Sequence, residues 1–381
     1  MTLRVLNVNN GLDLRTGGGQ AERTVQMSKH LARAGVSCEI LAIEAQANSE
    51  TRLESLGSVK VSMLGSVFKR FSVPTFEWRR IRSIVREVDV IHLMGHWSIL
   101  NAMVYVAARQ LQKPYVVCPA GALPLFGRSR FLKQLYNYLI GYSIIRNAAG
   151  WIAVTKDETL QFERYNVPVT DVIIIPNGVD PSDYPEGDIS AFRKKHNLIG
   201  KRIILFFGRL NPIKGPDMLL EAFIQVRREL SEFHLVFVGP DGGMLSSLQQ
   251  LAKSEGVADR VHFLGFVDEC EKPAAYRSAE LLVVPSRQEA MSIVAIEAGI
   301  CGVPVLLTDQ CGFSTVLEVD PRLEVPATAE AISVGLLGLL APTDGLEQLS
   351  GDFSKFVLDR YTWNALIPQY LEMYNRLVEI K

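Results

Sequence analysis

Short apolar runs of four to six residues recur along the chain, each followed by a polar loop and then by a helical pattern. That rhythm leaves few folds open. The runs fall at Leu3–Val8, Cys38–Ile43, the segment ending Val90-Ile91-His92-Leu93-Met94, Tyr115–Cys118, Trp151–Val154, Val172–Ile175, Arg202–Phe207, His234–Val238, Val261–Leu264, Leu281–Val284 and Pro304–Thr308. The opening unit is the plainest. Strand Leu3–Val8 leads into Asn9-Asn10-Gly11-Leu12-Asp13 and Gly17-Gly18-Gly19, and a helix predicted from Gln20 or Ala21 runs through Val25, Met27 and Leu31 to Ala34. Gly35 stops it before strand Cys38–Ile43. This is a βαβ unit of a doubly wound sheet. Gly17 to Gly19 would let an anion approach the backbone at a helix start, and a flexible turn explains them as well. No strict internal repeat interrupts the pattern, which reads as two similar α/β halves. At 381 residues each half can bury its own core.

The richest stretch is Pro285 to Pro304. Leu281–Val284 is a buried strand that Pro285 closes, Ser292 is a suitable N-cap, apolar residues recur at helical spacing from Ile293, and Gly302 and Pro304 end the helix. Glu289 falls in the loop at the positive end of the helix dipole, and Glu297 lies eight positions on, inside the helix. Bare amides at a helix start bind phosphate or sugar oxygens, and a nearby carboxylate accepts from hydroxyls. An isolated Glu is ordinarily a solvated surface charge. Glu297, however, sits in the otherwise apolar helix Ile293–Cys301, so it requires a partner. A second stretch, Gly208-Arg209-Leu210-Asn211-Pro212-Ile213-Lys214-Gly215, precedes a helix predicted over Pro216–Arg228. Two cations and loop glycines before a helix N-terminus suit a pyrophosphate; a solvated basic turn is the plain alternative.

Pro-Ser-x-x-Glu, seven residues, then Glu-Ala and Gly-Val-Pro-Val resembles the signature of the retaining GT-B glycosyltransferases of the family 4 type, also called group 1. The resemblance is most specific between Phe206 and Asp309. It implies two Rossmann-like doubly wound domains facing a cleft: an acceptor-side domain over 1–183, a nucleotide-sugar domain over 184–355, and a terminal helix over 356–381 returning to the first. Residue by residue, it implies that Glu289 contacts the donor sugar and Glu297 the ribose. Arg209 and Lys214, with Gly208, take the diphosphate, aided by the helix start at Ser292 and Ile293. Phe266 and Val267 make backbone contacts to the base, and Gly18 and Gly19 face the donor. The family often shows His-x-His-Gly-x-Trp after an early strand. Here Met94 stands where the second His is common and His96 follows two positions later, so His96 is the candidate and His92 the alternative. A structurally satisfied imidazole is as good a reading of either. A final helix is expected from Phe353 to Ile380, anchored by Tyr361, Trp363, Leu366, Tyr370 and Tyr374, with Pro368 as its one weak point.

Charge narrows the partners. Residues 1–180 hold 21 Lys/Arg against 14 Asp/Glu and residues 181–381 hold 19 against 27, so the halves carry about +7 and −8. From Val90 to Lys156 there is no Asp or Glu, and Phe126 to Ile145 reads as an amphipathic helix carrying Arg128, Arg130 and Lys133. With a second basic cluster at Lys69, Arg70, Arg79, Arg80, Arg82 and Arg86, this suggests an anionic membrane surface, and the resemblance implies a glycan or lipid-linked glycan acceptor beside it. Five scattered cysteines without a C-x-x-C pair suggest a reducing cytosol, and the chain shows neither a signal pattern nor an apolar run of membrane-spanning length. The expected place is cytoplasmic, peripheral at most. No D-x-D pair occurs, so no metal is expected, nor a cofactor or a nucleic-acid partner. An oxidoreductase would need a G-x-G-x-x-G that is missing here. A nucleotide-sugar epimerase of the same architecture, or a two-lobed sugar-binding protein, are the remaining competitors.

Overall fold

The structure, a computed structural model, describes residues 2–12, 14–43, 56–68, 73–124, 130–341 and 345–379. The chain divides into two compact units, Met1–Gly178 with Trp363–Lys381, and Val179–Thr362.

The first unit runs β1 (Arg4–Val8), α1 (Leu14–Arg33), β2 (Ser37–Ile43), β3 (Lys60–Leu64), the antiparallel pair β4 (Ser66–Phe68) and β5 (Val73–Pro74), α2 (Trp78–Glu87), β6 (Val90–Met94), α3 (Ile99–Gln110) and β7 (Tyr115–Cys118). It continues through α4 (Arg130–Tyr136), a π turn (Asn137–Gly141), α5 (Tyr142–Arg146), β8 (Gly150–Ala153), α6 (Lys156–Phe162) and β9 (Val172–Ile174). Among the described residues the sheet has seven strands in the order β3-β2-β1-β6-β7-β8-β9, all parallel. Its inner strands β1, β2, β6, β7 and β8 are buried on both faces, as the apolar runs require, while the edge strands β3 and β9 are partly exposed; Leu6, Leu41, Leu93, Val117 and Ala153 lie in the core.

One expectation needs correction here. Helix α1 starts at Leu14, not near Gln20, and takes Gly17, Gly18 and Gly19 into its first turns. Each glycine disfavours helix by about 1 kcal/mol, but Ala21, Val25, Met27 and Leu31 are all buried along the same helix and outweigh that cost. The turn itself is made upstream: Asn9 Oδ1 accepts the Asn10 N–H at 2.9 Å, and Asn9 Nδ2 reaches back to Thr24 Oγ1 at 3.0 Å.

The second unit runs α7 (Ile189–Lys195), β10 (Arg202–Phe207), α8 (Pro216–Gln225), β11 (Phe233–Val238), α9 (Leu245–Ser254), β12 (Val261–Gly265), α10 (Lys272–Arg277) and β13 (Leu281–Val284). Then come α11 (Ile293–Ile300), β14 (Val305–Thr308), β15 (Glu324–Val325), α12 (Ala329–Leu340) and α13 (Leu346–Arg360). Its sheet, of six strands among the described residues, is ordered β12-β11-β10-β13-β14-β15 and is parallel throughout. The order reverses between β10 and β13, where such sheets bind ligands beyond their carboxyl ends. That point brings the loop after β10 next to the loop after β13.

The single terminal helix expected over Phe353–Ile380 is two: α13 and then α14 (Trp363–Glu379). Pro368 lies within α14 without ending it. The break falls at Tyr361 and Thr362 because the Val179 N–H takes the Tyr361 carbonyl at 2.9 Å and Val179 bridges to Thr362, so the backbone there is committed elsewhere. Helix α14 belongs to the first unit. The buried Arg23 guanidinium binds Tyr370 Oη at 2.5 Å, the Ile175 and Pro176 carbonyls at 2.7 and 2.8 Å and Asn177 Oδ1 at 2.9 Å, while Tyr374 Oη meets His92 Nδ1 at 2.6 Å.

Candidate active site

In the second unit, glycine conformation holds the site in shape. Gly215 caps α8 with φ +66°, and a Cβ there would lie 2.0 Å from the Pro285 carbonyl oxygen. Only glycine permits that approach of the two loops. The contact is extended by the Arg287 N–H on the Ile213 carbonyl at 2.8 Å and by the Arg287 guanidinium, which grips Asp217 at 2.8 and 2.7 Å and the Pro212 carbonyl at 2.8 Å. The loop after β14 holds the other side. The Glu289 N–H donates to the Gln310 carbonyl at 2.9 Å, the Ser292 N–H to Cys311 at 3.1 Å, and Thr308 Oγ1 to Ser286 at 2.5 Å.

Within this frame Lys214 and Glu289 meet: Lys214 Nζ donates to one carboxylate oxygen of Glu289, and Ser286 Oγ donates to the other at 3.0 Å. Arg209 is exposed just beyond β10, and the Gly208 N–H is fixed to the Val238 carbonyl at 2.9 Å. Phe266, 65% exposed, and the buried Val267 follow β12 on the same sheet edge. Ser292 occupies the N-cap of α11 in extended conformation, but its hydroxyl does not make the capping bond expected of it; Oγ is buried and makes no hydrogen bond. Ile293 opens the helix beside it.

Glu297 does have the partner its apolar helix demands. It is 5% exposed, and its carboxylate accepts from Lys272 Nζ at 2.6 Å and Tyr276 Oη at 2.5 Å. Burial pushes the Tyr276 phenol far above its usual range, and its ring stacks on Phe207 at 4.9 Å. Sequence reasoning missed both partners. The signal available was Lys272 and Tyr276 four apart, hence on one helix face.

In the first unit His92 and His96 separate cleanly. His92 is a core residue of β6, bonded to Tyr374, and burial with the nearby Arg23 charge lowers its pKa to about 3. His96 lies in the loop beyond that strand, boxed by the rings of Trp97, Tyr136 and Tyr165. Its Nε2 lies 2.8 Å from Asn137 Oδ1, and Nδ1 is buried without a hydrogen-bond partner. Burial lowers its pKa to about 4, so the ring is neutral at pH 7. Asn137, in the π turn, was not singled out by sequence, nor was Glu158. The latter was legible as the Glu of Thr155-Lys156-Asp157-Glu158, a capping-box pattern. Its carboxylate instead takes the Gly121 and Val154 N–H groups at 2.5 and 2.7 Å, and burial raises its pKa. Gly18 and Gly19 lie in α1, as described.

Comparison with known proteins agrees with this layout. The family Glycosyltransferase Family 4 matches residues 17–183, and Glycosyl transferases group 1 matches 188–350. A D-inositol 3-phosphate glycosyltransferase 2 of Catenulispora acidiphila is 32% identical over 395 residues, covering 95% of this chain and 91% of that one. A D-inositol 3-phosphate glycosyltransferase of Mycobacteroides abscessus is 25% identical over 389 residues, with 95% and 85% covered. Among solved structures, Anabaena HepE in complex with UDP and glucose aligns with a TM-score of 0.79 at 18% identity, over 98% of this chain and 100% of that one. A sucrose-phosphate synthase from Thermosynechococcus elongatus gives 0.76 at 19%, over all of both. Two tandem family matches, and a relative nearly one-third identical along almost the whole length, make this chain a group 1 glycosyltransferase of the family 4 type with the GT-B fold.

Proposed function

We propose that this glycosyltransferase moves a sugar, with retention and without a metal, from a nucleoside diphosphate sugar to a lipid-linked glycan, in the making of a cell-surface polysaccharide or glycolipid at the cytoplasmic face of a membrane. The observation that carries the donor side is the pair of buried or half-buried glutamates, each already bridged to a lysine, at the point where the second sheet reverses its strand order. In this reading the donor lies on the domain over 184–355 and the acceptor on the domain over 1–183. Glu297 uses two of its four acceptor positions on Lys272 and Tyr276, leaving others for ribose hydroxyls. Arg209, Lys214 and the amides at the start of α11 take up charge as the bond from the sugar to the diphosphate breaks. The acceptor oxygen attacks from the face the diphosphate leaves, and a diphosphate oxygen receives the acceptor proton, so Glu289 is free to hold sugar hydroxyls. Phe266 and Val267 complete the donor contacts. His96, being neutral, serves as a hydrogen-bonding group beside the acceptor and not as an acid.

The acceptor side rests on the acid-free stretch from Val90 to Lys156 and on the exposed Phe131, Leu132, Leu135, Tyr138 and Leu139 of α4 and the π turn. No described helix is long and apolar enough to cross a bilayer, so contact is from the surface. Arg128 lies outside the described residues. A second reading, transfer to an inositol phosphate, is favoured by the names of the relatives. The test is a thermal-shift screen of UDP, GDP and ADP with their sugars. Labelled transfer from the best donor follows, into membrane lipid extract or into D-inositol 3-phosphate. Label in the organic phase supports the first reading, and label on the inositol phosphate alone replaces it. Interconversion of the donor sugar without an acceptor would make the protein an epimerase.

A further inference from the structure

Helix α3 is apolar on the wrong side as well as the right one. Leu100, Val104, Ala107 and Ala108 face the core, as a surface helix requires. Ile99, Ala102, Met103 and Val106 fall at i, i+3, i+4 and i+7 on another face, where a solvated helix would carry polar groups, and Ile99 and Val106 are 45% and 36% exposed. This stripe floors a groove of about 360 Å³ whose walls are Phe76, Trp78 and Ile140. The side chains around it are hydrocarbon, thioether and aromatic. Small-molecule sites normally hold a few convergent polar groups that orient a polar ligand. Among the described residues the lining supplies almost nothing that could orient one, and the occupant it suits is a bare hydrocarbon chain.

Two observations choose the source of that chain. The two helices that line the groove carry exposed Arg79, Arg80, Arg82 and Arg86 on α2 and Arg109 on α3, and exposed Arg130 opens α4 ahead of the π turn, with Glu77 and Glu87 as the neighbouring acids. A self-paired interface would oppose this cationic collar to itself, whereas an anionic leaflet complements it. The groove is also continuous in sequence with the exposed apolar face of α4 and the π turn, since Ile140 lines it and Leu139, next to it, is exposed. The same π turn carries Asn137, whose Oδ1 lies 2.8 Å from His96 Nε2.

We propose that this groove seats the hydrocarbon tail of a lipid-linked acceptor, so that the tail is held by one end of the π turn while the other end holds His96. The inference rests on the lipid-acceptor reading above and adds a site and a division of labour to it: collar to leaflet, groove to tail. The first test is direct binding. A dibrominated dodecyl maltoside, titrated below its micellar concentration into the full chain, should quench tryptophan fluorescence saturably through Trp78. Trp78→Phe should remove most of that saturable quench, and Met103→Glu or Val106→Gln should weaken binding tenfold or more. The second compares acceptors. Met103→Glu should raise KM tenfold or more for a long-chain acceptor while leaving KM for the donor and for a water-soluble, short-tailed acceptor unchanged. Absence of saturable quenching overturns the proposal. So does an equal rise of KM for both acceptors, or a self-association in sedimentation that Met103→Glu abolishes. Should no lipid prove an acceptor, the fluorescence arm still decides the groove, separating its failure from that of the function.

Discussion

The two units share a strand order, a parallel sheet and a reversal point, yet they spend their charges in opposite ways. In the second unit the charges around the strand ends are paired across neighbouring loops and helices: Lys214 with Glu289, Lys272 with Glu297, Arg287 with Asp217. In the first, one acid-free stretch spans β6, β7 and β8, and large apolar side chains stand in solvent beside its cations. A preset polar frame suits a small charged ligand whose atoms must be met at fixed positions, because such a frame needs no reorganisation at the moment of reaction. A diffuse cationic and apolar surface suits an extended partner whose contacts are many and individually weak. In the proposed reading the same architecture serves two kinds of recognition, and the difference lies outside the sheets, in loops and helix faces.

The comparison is broken most directly through the frame. Lys272→Ala leaves Glu297 buried with one partner and should cost about 3 kcal/mol, the low end for a severed buried pair because Lys272 keeps 20% of its side chain in solvent. Gly215→Ala should cost about 2–4 kcal/mol, since it forces both a left-handed alanine and a collision with the Pro285 carbonyl. Urea unfolding measures both, and losses below about 1 kcal/mol would mean the frame is looser than its hydrogen bonds imply.

Next in size is the ligand itself. Lys214→Ala and Glu297→Ala should each weaken nucleotide binding by about 1–3 kcal/mol in titration calorimetry, as lost charge-assisted bonds do. Unchanged affinity in both would leave the frame without its assigned occupant. Transfer should also survive excess EDTA.

A smaller effect tests the first unit. His96 titrates near 4 in the folded chain and near 6.5 when unfolded, so between those values the unfolded state binds the extra proton. Stability therefore falls as pH drops through that window, by at most about 1.4 kcal/mol per unit for this histidine. His96→Gln should flatten the slope between pH 6.5 and 5; an unchanged slope would show the ring to be more open to water than its aromatic box suggests. The smallest change is at the surface. Neutralising Arg130 to Gln should weaken sedimentation with anionic liposomes by about 1 kcal/mol at low salt, and leave nucleotide affinity untouched.

What the sequence revealed follows from how local each signal was. Buried strands announce themselves through four to six consecutive apolar residues, and Tyr115–Cys118 and Leu281–Val284 were placed to the residue. Glu297's need for a partner was readable from its own helix, because the cost of a buried charge is local. The partner's identity was not, since Lys272 comes 25 positions earlier on a helix brought alongside only by the fold. The glycines of α1 misled because local backbone preference pointed to a loop and distant packing overruled it. Tyr361 and Thr362 gave no sign of a break, for the competing hydrogen bond comes from Val179. The strand Lys60–Leu64, the short pair Ser66–Phe68 and Val73–Pro74, and Asn137 at His96 were all missed, the last because the two stand 41 positions apart and only the fold brings them together.

The placement of α14 sets an order of events during synthesis. The second unit is one continuous segment, Val179–Thr362, and can close as soon as that segment has left the ribosome. The first unit, although its sheet is translated earlier, must wait for Trp363–Glu379 before Arg23 finds Tyr370 and His92 finds Tyr374. The later-made unit can therefore reach its final state first, and the earlier-made one spends the interval with a guanidinium and an imidazole open to water along an unfinished seam.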